Sequence, residues 1–168
     1  MFRYAIIYRS YVVKRVLMMS KIFDEAMVVA ETFDVSTPEN GLVLYSVSFL
    51  PTKENRDKAF AFVNENKESK TIENTPCGKK LVELGFACAN ISLNKDMVAK
   101  VWGVASERMI RNAKGDVRAF VDGADPRSVF CRIELPNILA NEKIITINGV
   151  DKYEFAKKFL QTKTKEEE

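Results

Sequence analysis

A carboxylate inside an apolar run is the first candidate for chemistry in this sequence. Glu134 lies between Ile133 and Leu135 in the segment RSVFCRIELPNIL, residues 127–139. Such a side chain either turns to water or stays inside, where a low dielectric strengthens its electrostatic effect. Its position alone leaves both alternatives open.

Three more residues are candidates for binding a ligand. Trp102 is the only tryptophan, and Ser106 follows it by four residues on the same face of a predicted helix. Glu73 lies just before a predicted helix start. Taken singly, each has a simpler structural interpretation: Trp102 in the core, Ser106 in solvent, and Glu73 as an acid near the positive end of a helix.

The overall composition narrows the chemistry. The 168 residues include 26 Lys and Arg, 23 Asp and Glu, and no histidine. Histidine-based triads and His-ligated zinc are therefore excluded, and the chemistry must rest on carboxylates, hydroxyls, aromatic rings or cations. A net charge of +3 does not indicate nucleic-acid or membrane binding, and no carboxylate cluster requires a metal ion.

The cysteines and the N-terminus predict a cytoplasmic protein. Cys77, Cys88 and Cys131 are odd in number and lack C-x-x-C spacing, so we expect buried free thiols rather than disulfides or a zinc ribbon. The first apolar run is interrupted at Arg9 and again at Lys14, which is not typical of a signal peptide or a membrane span.

Hydrophobic spacing predicts mostly helices in the first two thirds of the chain. Thr75 and Pro76 form a helix start, and Gly115 marks a helix end. Residues 34–41 read as a loop, and LVLYSVSFL, residues 42–50, is compatible with helix or strand. The predicted helices are one or two over residues 2–33 and one each over 52–68, 75–89, 94–115 and 153–163.

Three β-favouring runs follow, at residues 116–123, 129–136 and 143–149. We therefore predict an α/β (α+β) fold, in which an N-terminal helical half packs on a small, mostly parallel C-terminal sheet with flanking helices. The predicted single domain covers residues 1–162, with the helical half at about 1–95 and the sheet half at about 96–162. Residues 163–168 read as a charged, solvated tail.

The order of these polar and aromatic residues along the chain strengthens the hypothesis that they form one site. A tryptophan with a serine four residues later, then Asp-Gly, then Ser-x-Phe-x-x-x-Glu, resembles the C-terminal half of ADP-ribosyl cyclases and NAD glycohydrolases. These features fall on Trp102, Ser106, residues 122–123, and Ser128, Phe130 and Glu134.

Two upstream segments extend the resemblance to about residues 40–150. KTIENTPCGKKL is similar to an acidic segment of that family and contains Glu73. LVLYSVSFL is similar to a Leu-Trp-Ser segment, which it matches with Tyr45 and Ser46. The chain looks like a cysteine-poor, bacterial toxin-like member.

The resemblance implies cleavage of the bond between nicotinamide and ribose in NAD or NADP. NAD would be the substrate, with no cofactor and no metal. Glu134 would be the catalytic carboxylate, stabilising positive charge on the ribose. The implied substrate-binding residues are Trp102 and Tyr45 for the nicotinamide ring, Glu73 for its carboxamide, and Ser46, Ser106, Ser128 and Phe130 for ribose or phosphate.

Several departures from the family keep two alternatives open. Tyr45 replaces a tryptophan, Val47 stands where an arginine contacts phosphate, and Val129 replaces a threonine. The valines favour a nucleotide-binding sensor or decoy that has lost turnover. The other alternative is an α/β interaction module with Trp102 in the core and Glu134 at the surface.

The biological role implied by the resemblance is an NAD-depleting toxin or effector that acts in the cytoplasm, delivered there from another cell. We expect NAD hydrolysis to ADP-ribose to be the main activity and formation of cyclic ADP-ribose to be a side activity. An immunity protein that plugs the cleft would be the partner.

Overall fold

A computed structural model describes residues 2–87 and 94–165, and the side chains of residues 12–87 and 94–162. The helices are α1 Phe2–Thr32, α2 Glu54–Glu65, α3 Pro76–Glu83, α4 Lys95–Asn112, α5 Leu135–Ala140 and α6 Lys152–Lys165. The strands are β1 Leu42–Tyr45, β2 Gly115–Phe120, β3 Ile144–Ile147 and β4 Val150–Asp151. A 3₁₀ turn, Ile72–Asn74, and a π-helical segment, Phe130–Glu134, complete the list.

The four strands form one sheet in the order β1-β2-β3-β4. The pairs β1–β2 and β2–β3 are parallel, and β3–β4 is antiparallel. This confirms the predicted fold class, a mixed fold with a small, mostly parallel sheet. The sheet does not come only from the C-terminal half, however, because β1 belongs to the ambiguous segment LVLYSVSFL.

The prediction of a strand at residues 129–136 is wrong. The segment is helical, running from the π-helical turns at Phe130–Glu134 directly into α5. Its buried residues, Phe130, Glu134, Leu135 and Ile138, recur at three- and four-residue spacing, the period of a helix rather than a strand. Aromatic and β-branched residues gave the segment a high strand propensity, but packing of one helical face overrides it.

The helix starts follow the sequence more closely than the helix ends, and the predicted helix end at Gly115 is wrong. One continuous helix, α1, replaces the predicted one or two, and the closing helix is confirmed as α6. Thr75 caps α3 by accepting the Gly78 N–H, with Pro76 at the first position. Helix α4 ends at Asn112, and Gly115 instead begins β2 with a φ of +80°.

The core lies between the sheet and the helices α1, α4, α5 and α6. From α1 it takes Ala26, Val29 and Ala30, and it is completed by Met109 and Ile110 of α4 together with the inward residues of the strands. Within the described residues, none of the helices combines the length and apolarity needed to cross a bilayer.

Of the predicted free thiols, Cys77 is buried and Cys131 is partly exposed. Cys88 lies outside the described residues. Helix α6 includes residues 163–165 of the predicted tail, and residues 166–168 also lie outside the described part of the chain.

Candidate active site

Four of the predicted site residues come together from four different elements. Tyr45 ends β1, Glu73 lies in the 3₁₀ turn, Ser106 lies on α4, and Glu134 ends the π-helical segment. The Tyr45 hydroxyl donates to Glu73 Oε1. Ser106 hydrogen-bonds Glu134, and the charge of Glu73 acts on Glu134 as well. An acidic pair, one hydroxyl and one phenol thus form a connected cluster.

The π-helical segment places Glu134 against α4. The Leu135 N–H donates to the carbonyl of Phe130, five residues back, immediately before Pro136, which has no N–H to donate. At Gly103 of α4, an added Cβ would lie only 3.1 Å from Ile133 Cδ1. The missing side chain at Gly103 therefore lets the two helices approach closely, one turn from Ser106.

The Glu134 carboxyl is 6% exposed, and its pKa is raised to about 8. Desolvation by burial is the largest cause, and the negative charge of Glu73 adds to it. The hydrogen bond from Ser106 lowers the pKa but does not offset burial. Without a ligand, Glu134 therefore holds its proton at neutral pH. Burial also contradicts the alternative in which Glu134 is a surface residue.

Glu73 is positioned by close backbone packing. A Cβ at Gly78 would lie 1.9 Å from the carbonyl oxygen of Ile72 and 2.6 Å from Glu73 Cα, so only glycine permits this approach of α3 to the 3₁₀ turn. The turn is also fixed by Thr71, whose hydroxyl donates to Asn74 Oδ1 at 2.8 Å. Glu73 Oε2 is buried and has no hydrogen-bond partner among the described residues.

Trp102 lies in the core and is 6% exposed. Its indole N–H donates to the Phe86 carbonyl at 2.6 Å, which agrees with the structural interpretation of this residue. Ser106, one turn along the same face, is also buried, at 4% exposure, so its interpretation as a solvent-facing serine is wrong. Trp102 thus supports the helix that carries Ser106, and no open ring face is available for stacking in this state.

Ser128 and Phe130 have structural roles in this arrangement. Ser128 is buried, and its hydroxyl accepts the N–H of Cys131, which fixes the start of the helix. The Phe130 ring packs edge-on against Phe159 of α6, with 5.5 Å between ring centroids. Both residues hold the segment that ends at Glu134, and the structure does not bring the Phe130 ring to the acidic pair.

Ser46 is buried next to Tyr45, and its backbone N–H donates to the Phe120 carbonyl at 3.1 Å. The sequence did not predict the residue that links the segments after β1 and β2. It is Asn55 of α2, whose Nδ2 donates to the carbonyls of Ser46 and Asp122, each at 2.9 Å. A polar residue at the inward helical position four before Ala59 was the available signal.

We expect Asn55→Ala to destabilise the protein by about 2–3 kcal/mol, because two carbonyl groups lose a shared donor and one of them is buried. Urea unfolding at pH 7 measures this change. Asn64→Ala, further along α2 and exposed, is the matched control. Equal stability of the two variants would show that the hydrogen bonds of Asn55 do not stabilise the segments after β1 and β2.

The described surface has grooves at other places. One lies between the exposed half of α1 and the start of α4, with Val12, Val16, Phe23 and Met97 among its lining residues. Of the acidic pair, Glu134 is buried, whereas Glu73 and the neighbouring Tyr45 are partly exposed, so solvent reaches the cluster from the side of Glu73. Among the described residues, no group of three or more acidic or cysteine side chains could hold a metal ion.

No model of a known protein family matches the sequence, and no curated protein does. Solved structures of ADP-ribosyl cyclase and CD38 are structural neighbours. Aplysia cyclase in complex with its substrate NGD and product cGDPR is 24% identical, with a TM-score of 0.46, over 66% of this chain and 48% of that one. A CD38 structure is 16% identical, with a TM-score of 0.47, over 80% of this chain and 82% of that one.

A mutant of ADP-ribosyl cyclase gives 23% identity and a TM-score of 0.47 over the same shares, 66% and 48%. The chain thus spans about half the length of these cyclase structures. Likenesses of this size concern the arrangement of the backbone and do not extend to activity.

Proposed function

We propose that the protein is an NAD glycohydrolase, which cleaves the nicotinamide–ribose bond to give nicotinamide and ADP-ribose. The observation that carries the proposal is the pair formed by the buried Glu134 and the partly exposed Glu73, whose buried Oε2 has no partner in the described residues and whose Oε1 accepts from the phenol of Tyr45. In the described part of the chain, no basic side chain contributes to the pKa of Glu134. Such a site suits a cationic ligand that also donates hydrogen bonds.

The nicotinamide end of NAD has both properties. Its pyridinium ring is cationic, and its carboxamide has N–H groups that the free Glu73 Oε2 can accept. The ring would lie near Tyr45, whose aromatic face contributes about 0.5–1.5 kcal/mol when stacked. Trp102 would join it only after a rearrangement that exposes its ring.

Bond cleavage needs little more than a correctly placed negative charge. Nicotinamide leaves as a neutral molecule, so no general acid is required, which suits a sequence without histidine. Positive charge then develops on the ribose, and the carboxylate of Glu134, held by Ser106, would stabilise it. Water captures the ribosyl cation to give ADP-ribose, and capture by adenine gives cyclic ADP-ribose as the side product.

Binding of the substrate would shift Glu134 towards its ionised form. A pyridinium cation near the carboxyl favours its charged state and so lowers its pKa. Ligand binding and loss of the Glu134 proton are therefore coupled. Without NAD the same residue is neutral, which limits the electrostatic repulsion between Glu134 and Glu73.

We therefore predict that kcat/KM for NAD rises about tenfold per pH unit up to a pH near 8 and levels off above it, because kcat/KM reports the pKa of the free enzyme. At pH 7 roughly a tenth of the free enzyme carries the charge. Initial rates at low NAD between pH 6 and pH 9 measure this. A flat profile would mean that Glu134 is not the titrating carboxylate.

The test of the proposed function is incubation of the purified protein with NAD, followed by chromatographic separation of the products, beside a Glu134→Gln variant. Free nicotinamide and ADP-ribose, absent with the variant, would support the glycohydrolase. Cyclic ADP-ribose as the major product would make it a cyclase. Intact NAD together with NAD-dependent protection from heat unfolding would instead support the sensor, which Val47 and Val129 favour.

An NAD-consuming chain of this kind would act as a toxin or effector in the cytoplasm of a target cell, with an immunity protein as its partner. This part of the proposal follows from the reaction and from the family resemblance. Expression with and without Glu134→Gln, with intracellular NAD measured, tests it. Equal NAD levels in the two cultures would contradict it.

A further inference from the structure

Phe49 has a backbone conformation that bulky residues rarely adopt. Its φ is +67°, in the left-handed region, where the Cβ crowds the backbone. Burial does not compensate for this strain, because the side chain is 61% exposed. Phe49 occupies the third position of a turn closed by the Leu50 N–H, which donates to the Val47 carbonyl at 3.1 Å, and a positive φ at this position is usually taken by Gly or Asn. The turn accounts for the backbone conformation but not for the presence of a large exposed ring there. Strained residues of this kind concentrate at ligand-binding sites.

The exposed ring is held in a defined orientation. The guanidinium carbon of Arg127 lies 4.1 Å from the centroid of the Phe49 ring. Arg127 is fixed in turn by Asp125, whose two oxygens accept the Nε–H and an Nη2–H, each at 2.9 Å. A pair of flat groups thus stands on the surface, with the guanidinium of Arg127 over one face of the phenyl ring.

The charge of this pair identifies the class of ligand. Asp125 neutralises Arg127, so the surface is a poor site for a phosphate or another anion. A flat, neutral and polarisable group suits it better, since such groups stack on aromatic rings and on guanidinium planes alike. A purine base is a group of this kind.

The location of the pair relates it to the acidic site. Phe49 follows the end of β1 by four residues, and Arg127 directly precedes Ser128 and the helical segment that ends at Glu134. Leu50 lies 3.9 Å from the Cβ position of Gly123, so the loops after β1 and β2 touch. In open parallel sheets, ligands bind beyond the carboxyl ends of the strands, where these loops lie.

We propose that Phe49, backed by Arg127, is the stacking platform for the purine base of the dinucleotide, while the acidic pair takes the nicotinamide end. The proposal rests on the proposed function for the identity of the dinucleotide. It assigns Phe49 a role in choosing between substrates: NAD, which has the purine, should depend on the ring, and nicotinamide mononucleotide, which lacks it, should not.

The experiment compares kcat/KM for NAD and for nicotinamide mononucleotide in the wild type, Phe49→Gly and Phe49→Trp. Glycine removes the ring and suits a positive φ, so Phe49→Gly should melt no lower than the wild type. Tyr153→Ala is the matched control, because Tyr153 is 59% exposed and also has a cation, Lys152 Nζ, 5.2 Å from its ring.

With Phe49→Gly we expect kcat/KM for NAD to fall on the order of tenfold, mainly through KM, a loss typical for one stacked base. The mononucleotide should be unaffected, Phe49→Trp should retain the wild-type value, and Tyr153→Ala should change neither substrate. An equal loss for both substrates, or no loss for NAD, would overturn the platform.

A binding measurement separates this inference from the proposed function. Calorimetric titration of the same proteins with AMP and with ribose 5-phosphate needs no turnover. If neither NAD nor the mononucleotide is cleaved, the glycohydrolase fails, and weaker AMP binding by Phe49→Gly with unchanged ribose 5-phosphate binding would still support the platform. Equal AMP binding by the two proteins, or none by the wild type, would overturn it.

Discussion

Glu134→Gln is expected to lower kcat for nicotinamide release by about 10²–10³-fold or more, the loss found when one preorganised electrostatic group is removed from an active site. The amide has nearly the shape of the protonated carboxyl and can keep the hydrogen bond with Ser106. It cannot become negative when the pyridinium binds. The change therefore removes the charge and leaves the packing intact.

Stopped assays of nicotinamide release at saturating NAD measure this loss. Glu142→Gln is the matched control, because Glu142 is an exposed glutamate in the turn after α5. It should retain full activity. Glu134→Gln with near wild-type kcat would remove Glu134 from the mechanism, whatever the activity of the chain.

The parts of the site that the sequence could predict are those set by residue type and order. The family resemblance implied site roles for Tyr45, Glu73, Ser106 and Glu134, and the structure brings these four residues into one cluster. The resemblance could not tell which neighbours face the cluster. Ser128 and Phe130 share a motif with Glu134, yet one caps a helix and the other fills the core.

The helix at residues 130–140 shows why local propensity was misleading. Val129, Phe130 and Ile133 are strand formers, and Pro136 suggested a strand end. What decides the structure is a long-range contact, the close approach of Ile133 to Gly103 on α4. Propensity contains no information about a partner thirty residues away, so the correct interpretation needed the three- and four-residue spacing of the buried side chains.

Two other features depend on tertiary contacts in the same way. The strand state of β1 depends on its pairing with β2, more than seventy residues later. Asn55 acquires its role only because the ends of β1 and β2 meet beside it. Periodicity could therefore predict most of the helices, and the family resemblance could imply the chemistry, but neither could predict the tertiary hydrogen bonds and strand pairings that hold these elements in register.

The burial of Glu134 predicts an opposite pH dependence for stability and for activity. Its pKa is about 8 in the folded chain, well above the ordinary value of 4.5. Between these two pH values the folded state holds a proton that the unfolded state has released, so the stability of the wild type falls as the pH rises through this window. Activity rises over the upper part of the same window, because the charge that destabilises the fold is the one that cleavage requires.

Glu134→Gln should remove this pH dependence, since glutamine does not titrate. We expect the two proteins to be similarly stable at pH 5, and the variant to be more stable at pH 9 by up to roughly 5 kcal/mol, equivalent to an increase in Tm on the order of 10 °C. Thermal unfolding at pH 5, 7 and 9 measures the difference, with Glu142→Gln expected to follow the wild type. If the gap between Glu134→Gln and the wild type stayed constant over this range, Glu134 would be ionised in the folded chain, and its burial would have to be offset by a positive charge.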